Sequence, residues 1–299
     1  MINYFLSQPH FDDSEKKIAL KAIDDTWVST SGPQVKLFEV QLSKFLNIKY
    51  SVATNSGTSS LHLALLVSSV SKNDEVITPS LTFIATVNAI KYVGADPIFF
   101  DSDNYFNIKI DDVIKFINEN CYTHNSFTYN KKTKKRIKAI ILVHVWGNAV
   151  NITNKQLKYI KSKGIMVIED STESLGTKYI KNSFKNKFTG TIGDIGCFSF
   201  NGNKIITTGS GGAVVTNNKK LYQKVKYLAN QAKDNTNFFI HNEIGYNYKM
   251  SNLSASIGIA QLKKIYKIIK KKNKIYQIYL SLFKNSTANS LMQVPDFAI

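Results

Sequence analysis

The chain encodes an α/β fold, three layers deep, with a mostly parallel seven-stranded sheet. Three observations predict it. From residue 50 to about residue 232, short apolar runs alternate with amphipathic stretches of helical period. That alternation places helices on both faces of a parallel sheet. The segments rich in glycine, serine and asparagine fall at the ends of the apolar runs, where an open parallel sheet offers its ligand crevice.

Element by element, residues 14–26 read as a helix. Trp27-Val28-Ser29-Thr30-Ser31-Gly32-Pro33 follows, and both precede the alternating core. Strands are expected at 50–54, 75–78, 97–101, 139–143, 165–170, 196–200 and 213–216. Helices are expected at 59–70, 84–92, 154–163 and 219–232. Lys131-Lys132-Thr133-Lys134-Lys135-Arg136 reads as a loop insertion before the fourth strand. After Gly245 one long helix is expected over 253–282, then a short irregular tail. The expected division is a large domain at 1–240, with its N-terminal arm, and the start of a small C-terminal domain at 241–299.

At 299 residues and 43% hydrophobic, the chain can bury a large core. No run is long and apolar enough to cross a bilayer, and the N-terminus lacks a signal peptide's basic-then-apolar layout. A cytoplasmic protein without membrane insertion is therefore expected. Cys121 and Cys197 have no metal-ligand spacing and read as reduced thiols. The net charge is +18, and lysine is concentrated at 131–136 and 263–274. In the second cluster Ile265, Ile268 and Ile269 lie opposite the lysines, so it reads as the solvated face of a helix. With no nucleic-acid motif beside the charge, no nucleic-acid partner is expected. A basic surface also suits attraction of a diphosphate substrate.

Lys204 carries the most chemical information. It follows the apolar run 196–200 and precedes Gly209-Ser210-Gly211-Gly212, where a rigid strand hands over to a tight turn. Upstream, Ile165-Met166-Val167-Ile168-Glu169-Asp170 reads as a buried strand ending in two carboxylates. A lysine inside the protein and a strand-end aspartate are what pyridoxal 5'-phosphate (PLP) chemistry needs. The lysine holds the aldehyde as a Schiff base, and the aspartate keeps the pyridine nitrogen protonated. Asn55-Ser56-Gly57-Thr58-Ser59 joins a strand to a helix, and free N–H groups at a helix start suit a phosphate; Ser-Gly-Thr is equally an ordinary cap. His62 reads as packing, whereas His144 fits packing and site lining equally. Phe83 fits either core or site. The glycine cluster precedes a strand and lacks G-x-G-x-x-G spacing, which excludes a dinucleotide site.

Together these pieces resemble the DegT-type nucleotide-sugar aminotransferases, PLP enzymes of the aspartate-aminotransferase fold (fold type I), from about residue 11 to 262. The matching blocks are Trp27-Val28-Ser29 with Gly32-Pro33, residues 55–65, 79–86, His144-Val145-Trp146-Gly147, 169–176, 193–212 and Gly245-Tyr246-Asn247-Tyr248-Lys249-Met250. Within the family, residues 200–209 and 242–248 look most like the branch acting on UDP-linked 4-keto-6-deoxy-N-acetylhexosamines, on routes to bacillosamine and legionaminic-acid-type surface sugars.

The resemblance implies L-glutamate as amino donor and a nucleotide-linked 4-keto sugar as acceptor. Lys204 is then the cofactor lysine and the proton-transfer base, and Asp170 pairs with the ring nitrogen. Phe83 stacks on the ring. Gly57, Thr58, Ser59 and Ser199 hold the phosphate, Glu173 flanks the cofactor, and Asn247 reaches the phosphate from the second subunit of a homodimer. Three departures stand out. Ser210 replaces a frequent glutamate. Lys249 replaces arginine, keeping the charge and losing the bidentate fork. The small domain also looks truncated, which leaves a catalytically impaired homologue as an alternative. A related PLP-dependent sugar dehydratase carries histidine in place of the lysine, so Lys204 argues against that reading.

Overall fold

The chain enters its first helix through a capping box. Asp12 accepts the Ser14 N–H while the Glu15 carboxylate accepts the Asp12 N–H, each at 2.9 Å, and this starts α1 (Asp13–Asp24). The computed structural model describes residues 7–235, 237–286 and 290–299. Residues 33–46, left without an element by the sequence reading, form α2 (Pro33–Leu46). Pro33 takes the first helical position, where a missing N–H costs nothing, and Val35, Phe38, Leu42 and Leu46 bury one stripe.

The alternating core follows as β1 (Tyr50–Thr54), α3 (Gly57–Val67), β2 (Asp74–Pro79), α4 (Ile84–Tyr92), β3 (Asp96–Phe100), α5 (Ile110–Asn120), β4 (Cys121–His124), β5 (Phe127–Asn130), β6 (Arg136–Val143), α6 (Asn154–Ser162), β7 (Met166–Asp170), β8 (Ile195–Ser199), β9 (Gly212–Thr216) and α7 (Lys219–Ala229). All seven expected strands are present. Helix α5 and the β4–β5 hairpin are additions. Ile110, Val113 and Ile117 give α5 its buried stripe. The basic run 131–136 is the turn from β5 into β6, closed by the Lys134 N–H on the Asn130 carbonyl at 2.9 Å.

The main path of the sheet runs β1-β9-β8-β7-β6-β2-β3. The pairs β2–β3, β2–β6, β6–β7 and β7–β8 are parallel, whereas β9 is antiparallel to both β8 and β1. A parallel pair needs a crossover over the sheet face. The 200–211 connection instead stays at one edge of the sheet, so β9 must turn back. Because β1 opposes β9, it runs with the others, and the carboxyl ends of β1, β2, β6, β7 and β8 share one edge.

Both faces are covered. Leu61, Leu63 and Leu65 of α3, Ile90 of α4 and Val225 of α7 pack on one face against Val76, Ile141, Ile168 and Val214. On the other, α5 and α6 pack against Ile140, Leu142 and Val167, and α2 packs against Phe198, Ala213 and Val215. Adjacent residues of one strand thus point to opposite cores.

The single long helix expected over 253–282 is two helices, α8 (Asn252–Lys263) and α9 (Ile265–Phe283), jointed at Lys264 with φ −99° and ψ 0°. Lys264 lies beneath α1, where its ammonium pairs with Asp12 at 3.0 Å and with Glu15, and that demand fixes the joint. Ala255, Ile259 and Leu262 of α8 share a core with α2, while Ile265 is buried and Ile268 and Ile269 pack against it as expected. The tail returns to the body: the Ile180 N–H bonds the Phe297 carbonyl at 2.8 Å, and Phe297 and Ala298 are buried. No helix among the described residues is long and apolar enough to cross a membrane.

Candidate active site

Five chain segments meet at the shared carboxyl edge. Strand β7 ends in Glu169 and Asp170, and alternation sends the two carboxylates to opposite faces. Asp170, 3% exposed, turns toward α4, where the Thr86 hydroxyl donates to its Oδ2 at 2.7 Å. The Thr172 N–H reaches Oδ1 at 3.2 Å. Two neutral donors orient the group while leaving lone pairs for a further partner. Cys197 is its register neighbour on β8; burial and the two carboxylates push that thiol well above its ordinary value. Cys121 is pushed up to about 11 by burial. Both cysteines stay thiols at neutral pH.

Glu169 serves structure instead. Its carboxylate accepts the N–H groups of Gly190, Ile192 and Gly193 at 2.7, 2.8 and 2.6 Å, and His144 Nε2 at 3.0 Å, all fully buried or nearly so. His144 Nδ1 accepts the Val150 N–H at 3.1 Å, which leaves the proton on Nε2. His144 is therefore a packed, tautomer-locked support and not a lining residue. His62 is packing too, edge-on to Tyr92, Tyr246 and Tyr248, with burial lowering its pKa.

Lys204 sits in the turn after β8, its N–H on the Asn201 carbonyl at 3.0 Å. Its ammonium pairs with Glu173 Oε1 at 3.1 Å, and its side chain is 15% exposed. Glu173 lies three residues beyond Asp170, so the ion pair links the turn after β8, which carries the amine, to the turn that follows the buried aspartate. The other oxygen of Glu173 accepts the Trp146 N–H at 3.0 Å.

Helix α3 begins beside them. Ser56 caps it by accepting the Ser59 N–H at 3.0 Å, and the Ser59 hydroxyl donates to Asn55 Oδ1 at 2.7 Å. A Cβ at Gly57 would lie 2.7 Å from Ser199 Cβ and 3.1 Å from both Ser199 Oγ and Thr172 Cγ2. Only glycine brings the helix start this close to β8. Among the described residues the N–H groups of Gly57 and Thr58 and the hydroxyls of Thr58 and Ser199 have no hydrogen-bond partner. Four unanswered donors at a helix N-terminus fit a phosphate dianion. With an amine and an oriented carboxylate on the same edge, the donor set fits PLP.

Phe83, directly before α4, presents a ring that is 75% exposed. Asn247 is exposed; its carbonyl accepts Asn55 Nδ2 at 3.2 Å, which sets it next to the 55–59 loop of its own chain, and its side chain makes no hydrogen bond among the described residues. Ser210 donates to the Asn55 carbonyl at 2.8 Å, tying the glycine cluster to that loop. Thr86 and Thr172 are partners of Asp170 that the sequence reading did not single out. Thr86 lay inside a quoted block, but only tertiary packing aims its hydroxyl at Asp170.

Known proteins resemble this chain along nearly its whole length. The model of the DegT/DnrJ/EryC1/StrS aminotransferase family matches residues 9–298. GDP-perosamine synthase of Escherichia coli O157:H7 is 40% identical over 96% of this chain and 72% of its own length. The UDP-4-amino-4,6-dideoxy-N-acetyl-beta-L-altrosamine transaminase of Campylobacter jejuni is 33% identical over 99% of this chain and 73% of its own. Among solved structures, Helicobacter pylori PseC, an aminotransferase involved in the biosynthesis of pseudoaminic acid, superposes with a TM-score of 0.82 at 29% identity, covering 95% of this chain and 71% of that one.

Proposed function

We propose, from the premise that this chain belongs to the DegT/DnrJ/EryC1/StrS aminotransferase family, that it moves the amino group of L-glutamate onto the 4-keto carbon of a nucleotide-linked 6-deoxysugar for surface-glycan synthesis. Membership makes it a sugar aminotransferase with PLP as cofactor. The observation that carries the finer reading is the Lys204 amine, paired with Glu173 on the same turn as Asp170, beside a cluster of unanswered phosphate donors.

When bound, PLP supplies an aldehyde that takes up amines and a ring that accepts electrons. Lys204 Nζ is the amine that holds it and, once released, the base that takes and returns the proton at the amine-bearing carbon. Asp170, fixed by Thr86 and Thr172, holds the proton on the ring nitrogen. Gly57, Thr58 and Ser199 would hold the phosphate, Ser59 would brace that loop through its bonds to Ser56 and Asn55, and Phe83 would cover the ring face. Glu173 keeps Lys204 Nζ at the strand edge. Asn247 is assigned to the site of a second subunit. A homodimer is part of this proposal; Phe238, Phe239 and Ile244, exposed apolar residues shortly before Asn247 in the chain, are the side chains that it would cover. The division into a cofactor domain at 1–240 and the start of a smaller domain at 241–299 belongs to the same proposal.

UDP-4-keto-6-deoxy-N-acetylhexosamine is the proposed acceptor. A GDP-linked 4-keto-6-deoxyhexose is the second reading, favoured by the 40% relative. Spectra of the purified holoenzyme before and after L-glutamate, followed by a panel of UDP-, GDP- and dTDP-linked 4-keto-6-deoxysugars, test both. Conversion of the cofactor by glutamate and return of its spectrum with one sugar support the proposal. Retained cofactor without conversion favours the impaired homologue. Lys204→Ala abolishes turnover, and wild-type rates in that variant would overturn the assignment.

A further inference from the structure

Beside the site two bulky aromatic residues occupy backbone that a Cβ disfavours. Trp146 has φ 51° and ψ 24°, and Phe106 has φ 66°. Their rings meet edge to face, with centroids 5.4 Å apart at 71°. Both loops are held by more bonds than their own conformations need. The Glu173 carboxylate accepts the Trp146 N–H, Gly147 N–H bonds the His144 carbonyl at 3.2 Å, and the Thr177 hydroxyl donates to the Gly147 carbonyl at 2.8 Å. Asn107, fully buried next to Phe106, stitches the loops together. Its Nδ2 donates to the carbonyls of Asn148 and Ala149 at 3.2 and 3.0 Å, and its Oδ1 accepts the Val145 N–H at 3.0 Å.

Strain maintained this way in a core would end with the rings buried. Here Trp146 remains 59% exposed and Phe106 37%. The framework therefore displays an aromatic face. Strained residues held by their surroundings gather at ligand sites.

We infer that Trp146, backed by Phe106, is the platform for one face of the sugar ring of the acceptor. The inference rests on the sugar-aminotransferase reading and names a subsite within it. Trp146 N–H and Lys204 Nζ are bound by the two oxygens of the same carboxylate. The bonded N–H is the main-chain one, so the backbone that carries the indole stands one side chain from the amine whose chemistry occurs at the sugar's keto carbon. The nucleobase is separated from that carbon by the rest of the sugar and the diphosphate. A 6-deoxypyranose presents C–H groups and a methyl on one face, and these suit the electron-rich face of an indole.

Two tryptophans occur in the chain. Trp27→Phe leaves Trp146 as the sole indole, and Trp27 bonds Asn252 only through its carbonyl. Titrating this variant holoenzyme with the UDP-linked amino sugar product should quench its fluorescence, whereas UDP alone should not. In otherwise wild-type protein, Trp146→Ala should raise KM for the keto sugar about ten-fold or more, and Trp146→Phe should recover most of that. The loss should fall more heavily on the sugar half-reaction than on the glutamate half-reaction. Equal quenching by UDP, an unchanged sugar KM in Trp146→Ala, or equal loss in both half-reactions would overturn the platform while leaving the aminotransferase reading intact. A wild-type enzyme that aminates no nucleotide-linked keto sugar would overturn both.

Discussion

Replacing Gly57 by alanine should damage the phosphate cradle by a route that can be worked out beforehand. Gly57 has no left-handed φ, so alanine meets no backbone penalty there and gains up to about 1 kcal/mol of helix propensity. Against this, the new methyl would stand 2.7 Å from Ser199 Cβ, where ordinary contacts begin at 3.4 Å. Either α3 or the end of β8 must therefore shift by roughly 0.7 Å. Overpacking of this kind costs about 1–3 kcal/mol, so the net loss of stability is about 0–2 kcal/mol. Affinity suffers more, because the shift separates the Ser199 hydroxyl from the Gly57 and Thr58 N–H groups. A misplacement near 1 Å in a converging site weakens it by about ten- to a hundred-fold. Urea unfolding of the apoprotein reads the first quantity, and cofactor retention followed by absorbance reads the second. Ser199→Gly removes the opposing Cβ, so Gly57→Ala/Ser199→Gly should recover stability but not cofactor affinity, a non-additive cycle. Wild-type retention in Gly57→Ala, or strictly additive losses in the double variant, would refute the cradle.

Three further outcomes follow from the same geometry. Thr86→Val removes the hydroxyl on Asp170 Oδ2 at nearly constant volume and should cost about 1–3 kcal/mol of apoprotein stability; an unfolding midpoint equal to wild type would show that this bond is dispensable. His144→Phe deprives Glu169 of a donor and Val150 of an acceptor inside the core, so about 3 kcal/mol or more should be lost with no direct contact to the site. Burial raises the Glu39 carboxyl against the nearby Lys226, Lys249 and Lys36, while its Oε1 accepts the Ala53 N–H at 2.9 Å. A raised folded pKa means the native state binds the proton more tightly, so this group's contribution to stability falls as pH rises through that folded value. Glu39→Gln should therefore gain on wild type between pH 5 and pH 8 in paired unfolding curves, and a gap independent of pH would count against the assignment.

The strands were legible because each is a short apolar run bounded by turn residues, and burial on both faces leaves little choice of conformation. Helix α2 and helix α5 escaped attention although their stripes, Val35-Phe38-Leu42-Leu46 and Ile110-Val113-Ile117, are readable at helical spacing. The joint at Lys264 was not readable, because the chain there continues a helical pattern. Its break answers the carboxylates of Asp12 and Glu15, some 250 residues earlier.

Sequence alone singled out the residues proposed to carry the chemistry: Lys204 after one strand, Asp170 at the end of another, and a small-residue turn opening a helix. It also determined the edge at which they meet, since in a parallel sheet the carboxyl ends of strands must share a side. Tertiary structure alone decided how each group is held. Thr86 grips Asp170, Glu173 grips Lys204 and Trp146, and Glu169 with its neighbouring His144 supports the loops from behind. Hydrogen bonds act over about 3 Å between residues tens of positions apart, and a one-dimensional pattern records side-chain type but not the direction in which a packed backbone aims it.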